Sequence, residues 1–179
     1  VKQNEEIISK CEDVLQHGYP LALFPEATHR PKHSLLPLSK GIFHIALEAN
    51  KRIGHERPVY IVPMGLEYER YFRYRSTVVA TYGEAINVTE FVKQHEAEVT
   101  PAKLLAMLRE ELATRMSKLI AYVPDTEDYD AQWELTELCT AQCKPLSPAE
   151  RLTLNQTAIK HLVEKKASAP AEDTAELYA

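Results

Sequence analysis

Apolar positions recur at helical spacing in five stretches of the chain and run unbroken in three short ones. In residues 4–17 (NEEIISKCEDVLQH), Ile7, Ile8, Cys11, Val14 and Leu15 share a face, Asn4 is placed to cap, and Glu5 and Glu6 suit a first turn. Gly18 then stops the predicted helix. Residues 38–50 (LSKGIFHIALEAN) put Ile42, Phe43, Ala46 and Leu47 on one side of a second helix. The strongest stripe starts near Thr100, where Leu104, Leu108, Leu112, Met116, Leu119 and Val123 follow at steps of three or four up to Pro124. Two more helices are predicted, from about Tyr129 to Cys143 and from Ser147 to about Lys166, the second opened by the capping box Ser147-x-x-Glu150. Leu21–Phe24 (LALF), Val59–Val62 (VYIV) and Thr77–Tyr82 (TVVATY) read as strands; Pro25 and Gly83 close the first and third, and Pro63 interrupts or ends the second. Thr89 is placed to cap a short turn (TEFVKQ), and Pro25, Pro31 and Pro37 make 25–37 a loop.

Helices alternating with strands predict an α/β fold, a mixed or parallel sheet with flanking helices. Residues 1–123 form the α/β part, and 124–179 a helical C-terminal appendage with an Ala-rich tail. The 179 residues are 45% hydrophobic and 26% charged, an ordinary globular mix rather than a disordered one. No apolar run approaches the roughly 20 residues of a membrane-spanning helix. A net charge of −5 argues against a general nucleic-acid binder, and there is no G-x-G-x-x-G or Walker loop to cradle a nucleotide. The three cysteines, Cys11, Cys139 and Cys143, form no CxxC pair and fit a reduced compartment.

Charge is unevenly spread. Residues 24–75 carry nine basic side chains against five acidic, and four of the seven histidines. A basic excess inside an acidic chain is consistent with an anionic ligand, or with a solvated surface. The run Phe24-Pro25-Glu26-Ala27-Thr28-His29-Arg30 concentrates chemistry there, with a carboxylate, a hydroxyl, an imidazole and a guanidinium within five residues of a predicted strand end. Arg30 has the fork geometry that grips phosphate, and Glu26 can accept from ligand hydroxyls. The plain alternative is a surface loop holding a Glu–Arg pair worth at most about 1 kcal/mol.

This run resembles F-P-E-G-T-R-S, the third conserved block of the glycerol-3-phosphate and 1-acylglycerol-3-phosphate acyltransferase superfamily. Leu38-Ser39-Lys40-Gly41-Ile42-Phe43 resembles the K-x-G-x-F helix start that follows it, and Val62-Pro63-Met64 the fourth block, V-P-V or V-P-I. Order and spacing hold over about residues 10–90. The resemblance implies that Glu26 binds the acceptor's glycerol hydroxyls, that Thr28, His29 and Arg30 help hold its phosphate, and that Pro63 shapes a pocket wall. Phe24, Pro25, Ala27, Lys40 and Gly41 then have structural or pocket roles. Ala27 stands where the family usually has Gly, His29 where it has Arg, and Arg30 where it has Ser, so the cation is displaced by one position.

The family's first block, H-x-x-x-x-D, supplies its general base. None of the seven histidines here has Asp five positions on. The expectation is therefore a C-terminal fragment, truncated ahead of Val1, that contains no catalytic residue and is inactive alone. The resemblance implies an O-acyltransferase of phospholipid synthesis that uses acyl-CoA or acyl carrier protein as donor and a glycerol phosphate or lysophospholipid as acceptor. No metal, cofactor or nucleic acid is expected. The implied location is cytoplasmic, peripheral at the inner membrane face. A non-catalytic phospholipid-binding or interaction module on the same fold is the alternative.

His29 and His33 have a zinc-like spacing, but Pro31 between them opposes a helix. Cys139 and Cys143 read as buried small hydrophobes. Tyr68–Arg75 (YERYFRYR) interleaves rings with cations and suits either anionic headgroups or a solvated loop.

Overall fold

The computed structural model describes residues 2–28, 30–69, 71–143 and 147–168. Ten elements follow in order among them: α1 (Lys2–Gln16), α2 (Gly41–Ile53), β1 (Tyr60–Ile61), β2 (Met64–Tyr68), β3 (Val78–Tyr82), β4 (Ile86–Asn87), α3 (Val88–His95), α4 (Pro101–Ser117), α5 (Tyr129–Ala141) and α6 (Pro148–Ser168). Mixed helices and small sheets are compatible with an α/β class, but the described strands pair antiparallel, β1 with β4 and β2 with β3. Two units interleave along the chain: the first gathers described residues within 1–29, 36–63 and 83–115, the second those within 30–35, 64–82 and 116–179. α5 and α6 share the second unit with the β2–β3 hairpin.

In the first unit, α1 ends as its glycine requires. Gly18 sits at φ +85°, its N–H donates to Leu15 O at 2.9 Å, and Tyr19 N–H donates to Val14 O at 3.2 Å, a Schellman closure. Arg52 of α2 ion-pairs at 2.6 Å with Glu12 of α1, whose side chain is buried. Phe43, Ala46, Ala49 and Ile53 form the buried stripe of α2, and Leu104, Leu108 and Leu112 that of α4. Asn87, not Thr89, caps α3: Asn87 Oδ1 accepts from Glu90 N–H at 3.1 Å. Thr89 is buried instead, where its hydroxyl accepts from Val59 N–H at 3.0 Å and donates to Asn50 Oδ1 at 2.6 Å.

Residues 21–24 are not a strand. The segment carries no regular secondary structure, no described strand pairs with it, and Phe24 is 75% exposed. Apolar content alone does not make a strand, because the backbone donors and acceptors need a neighbouring ladder.

In the second unit, Ala121, Val123, Tyr129, Leu152 and Ile159 form the core, with Val79 and Trp133 against it. The β2–β3 register runs from Met64↔Tyr82 to Tyr68↔Val78. The apolar stripe of α4 continues past the helix itself: the chain leaves helical geometry after Ser117, and Gln156 Nε2 donates to Lys118 O and Ile120 O, both at 3.1 Å. Leu119 and Val123 therefore pack from a turn and a loop. The capping box at α6 forms as predicted, with Ser147 N–H donating to Glu150 Oε2 at 2.8 Å and Glu150 N–H to Ser147 Oγ at 3.3 Å. Cys139 and Cys143 are exposed, contrary to expectation. The face that α5 buries carries Gln132, Thr136 and Thr140, and the two threonine hydroxyls donate to the carbonyls of Gln132 and Thr136 one turn back.

Candidate functional site

The Phe24–Arg30 loop is built as a Pro-led turn. Pro25 takes the second turn position, and Ala27 N–H closes the turn on Phe24 O at 3.3 Å. Ala27 has φ 58°, the left-handed region in which a side chain costs roughly 1–2 kcal/mol. Pro25 O accepts from Ser39 N–H at 2.7 Å, which fastens the turn to the approach of α2. The half-buried Glu26 reaches ten residues onward, its Oε2 accepting from Leu36 N–H at 2.8 Å. Thr28 is exposed, and His29 lies outside the described residues. Lys40, exposed, precedes α2 without a side-chain capping bond, and Gly41 opens that helix with free space around its Cα. Pro63 is fully buried, and its carbonyl accepts from Gly83 N–H at 2.9 Å. Glu26 belongs to the first unit and Arg30 to the second.

Arg30 sits in a charged cluster that the motif does not announce. Its Nη1 meets Asp125 Oδ2 at 2.6 Å, its Nη2 donates to Ser34 Oγ at 2.8 Å, and Lys32 Nζ meets the other Asp125 oxygen at 2.8 Å. Two cations thus converge on one carboxylate. They hold its pKa below the ordinary 3.8, through the Lys32 hydrogen bond first and the Arg30 bond next. Lys32 also stands 4.6 Å from the centroid of the Tyr129 ring. Burial pushes the Tyr129 hydroxyl above its usual value of 10.0, and its oxygen accepts from His33 N–H at 2.7 Å. Arg30 Nε is buried with no acceptor among the described residues.

Beside this cluster His33 is fixed on two sides. Its ring stacks on Trp133 at 3.6 Å and 12°, and its Nδ1 lies 3.0 Å from Glu67 Oε1. The second Glu67 oxygen accepts from Ala121 N–H at 3.2 Å. Lys32, His33, Glu67, Asp125, Tyr129 and Trp133 were not read as site residues. Their one trace in the sequence is the basic excess in 24–75 set against the acidic run Asp125, Glu127, Asp128 and Asp130. Chemically the cluster is a place for an oxyanion: a forked guanidinium, an ammonium and a hydroxyl, with a carboxylate in the anion's position.

Residues 1–67 match a family model described as Acyltransferase, a span that contains the Phe24–Arg30 run and the two shorter motifs after it. Glycerol-3-phosphate O-acyltransferase 2 of Saccharomyces cerevisiae is 30% identical over 131 residues, 71% of this chain and 16% of that protein. An uncharacterised acyltransferase of Schizosaccharomyces pombe is 31% identical over 85 residues, 47% of this chain and 12% of that protein. The chain therefore spans a small part of the length of either curated relative. No solved structure matches it. The motif order, the family match over residues 1–67 and these two relatives agree, and the chain fits the acyltransferase superfamily.

Proposed function

We propose that the chain is part of an O-acyltransferase of phospholipid synthesis that transfers a fatty acyl group from a thioester to a hydroxyl of a glycerol phosphate. The donor is acyl-CoA or acyl carrier protein, and the acceptor a glycerol phosphate or lysophospholipid. By the resemblance, the acceptor's hydroxyl attacks the thioester carbonyl directly, and the thiol of the carrier leaves. The base that takes the hydroxyl proton is not assigned to this chain, so these residues alone bind without turning over. By the resemblance, Glu26 meets the acceptor's hydroxyls, and Thr28 and His29 help hold its phosphate. Arg30 and Lys32 hold its phosphate, which displaces the Asp125 carboxylate.

The observation that carries the reading is the convergence of Arg30 and Lys32 on one carboxylate, directly after a family-matched F-P-E run. The buried Nε–H of Arg30 adds a donor that an oxyanion would satisfy. Products of this chemistry are membrane lipids, so the reading includes a membrane surface, approached from the cytoplasmic side.

The test is acceptor kinetics in the full-length protein. Arg30→Ala lowers kcat/KM at least about tenfold, about 1.4 kcal/mol of transition-state stabilisation. Glu26→Ala does the same. Glu26→Gln keeps an acceptor for Leu36 N–H and separates the carboxylate's part in binding from its part in the loop. Unchanged kinetics in Arg30→Ala and Glu26→Ala would leave the loop a structural role and end the proposal.

A further inference from the structure

We infer that the β2–β3 hairpin is a lipid-facing element whose tip seats in the headgroup region of an anionic bilayer. This deepens the membrane-surface part of the proposed function by naming the segment that touches lipid.

The argument starts from register. Directly opposed residues of an antiparallel pair share a face. Glu67 and Val79 are opposed and turn toward the unit's core, where Val79 packs on the core cluster and Glu67 binds Ala121 N–H. The other face presents the pairs Tyr68–Val78, Leu66–Ala80 and Met64–Tyr82, with no charged side chain among them. Antiparallel sheets with one buried face normally place polar residues on the other. Here that face is apolar, and Tyr82 is 71% exposed.

The same character continues past the ladder. Glu69 N–H donates to Thr77 O at 3.0 Å, and beyond it Phe72 is 83% and Tyr74 93% exposed. These rings are held outward by their neighbours. Tyr68 meets Tyr71 edge-on at 5.3 Å, Tyr71 meets Phe72 at 5.1 Å, and Arg75 lies 5.8 Å from the Tyr74 ring centroid. Arg73 and Arg75 are exposed.

Charge selects the partner. Residues 69–75 carry Arg70, Arg73 and Arg75 against Glu69, in a chain of net charge −5. A basic, aromatic-rich tip in an otherwise acidic molecule turns toward an anionic surface and away from a neutral or basic one. Rings with a polar or cationic rim fit the bilayer interface, where one end is apolar and the other wet. No described helix is long and apolar enough to cross a membrane, so this contact is a surface one.

The test is co-sedimentation of the chain with vesicles of phosphatidylcholine alone and of phosphatidylcholine mixed with phosphatidylglycerol. Binding to the mixed vesicles, weakened by salt, is expected. Arg73→Gln with Arg75→Gln lowers that binding about tenfold or more, while Phe72→Ser with Tyr74→Ser lowers it too and leaves what remains as sensitive to salt as the parent's. All four side chains are exposed, so both variants keep the parent's melting temperature, which is the control for folding. No binding to either vesicle, or binding that neither double variant changes, overturns the inference. So does a chain that dimerises through these residues, or one that binds single-stranded RNA through them in place of vesicles. Sedimentation needs no turnover: an inactive full-length enzyme would leave the inference standing, and absent vesicle binding would leave acyl transfer standing.

Discussion

Ala27 shows what a single methyl group does at a strained position. Its φ of 58° follows from the Pro-led turn, whose fourth position favours Gly. The family motif has Gly there, and this chain carries the side chain at a cost. Ala27→Gly removes roughly 1–2 kcal/mol of strain and returns about 0.4–1 kcal/mol to the unfolded chain as entropy. The net expectation is a stabilisation of up to about 1.6 kcal/mol, read as a melting temperature higher by about 2–4 °C per kcal/mol for a chain of this size. A melting temperature that stays level or falls would show that the turn stores no strain. The motif letters made this residue legible, since a departure from Gly is visible in sequence. The bond from Leu36 N–H to Glu26 was not legible, because ten residues with Pro31 among them separate the two, and nothing in their spacing fixes the path.

At the level of elements, local signals were read where the chain supplies its own partners. Gly18 closes α1 and Ser147–Glu150 caps α6 as the pattern predicts, since each cap is completed within four or five residues. Signals that need a distant partner misled. Leu21–Phe24 has strand composition but no described ladder, and β2 went unread because MGLEY has no clean alternation. What positions β2 is Gly65, which is buried. A Cβ there would lie 2.6 Å from Leu119 Cβ and 2.7 Å from Leu119 O, distances that carbon atoms do not tolerate. Gly65→Ala therefore forces the 119–120 turn away from the hairpin, at the cost of about 1–3 kcal/mol usual for overpacking. Chemical denaturation is the measure, and a midpoint equal to the parent's would show that the turn yields freely. Gly41 provides the contrast, with nothing within 4 Å of an added Cβ.

Across the whole molecule, charge ties together segments that sequence alone leaves apart. The basic excess of 24–75 and the acidic run after Pro124 were both visible, but their pairing was not, because ion pairs across 93 and 95 residues depend on a fold that local periodicity does not specify. In the second unit Asp125 closes that circuit, and its lowered pKa gives the contact a pH signature. A carboxylate whose folded pKa lies below its unfolded one adds stability at pH values above the unfolded pKa, and loses it as pH falls through the folded pKa. Protonation of Asp125 removes the negative charge on which Arg30 and Lys32 converge. Glu150, lowered by its hydrogen bonds from Ser147, titrates in the same direction, and raw melting curves in acid therefore mix the two. The difference between the parent and Asp125→Asn isolates the first. That variant is expected to melt below the parent at pH 7, with a gap that narrows once the pH drops under about 4 and closes as Asp125 protonates. Added salt narrows the gap at pH 7 as well, because the pair is partly exposed. If the gap were the same at pH 7 and in strong acid, shape rather than charge would hold Asp125 to Arg30 and Lys32, and the cluster would lose its claim to be an oxyanion site.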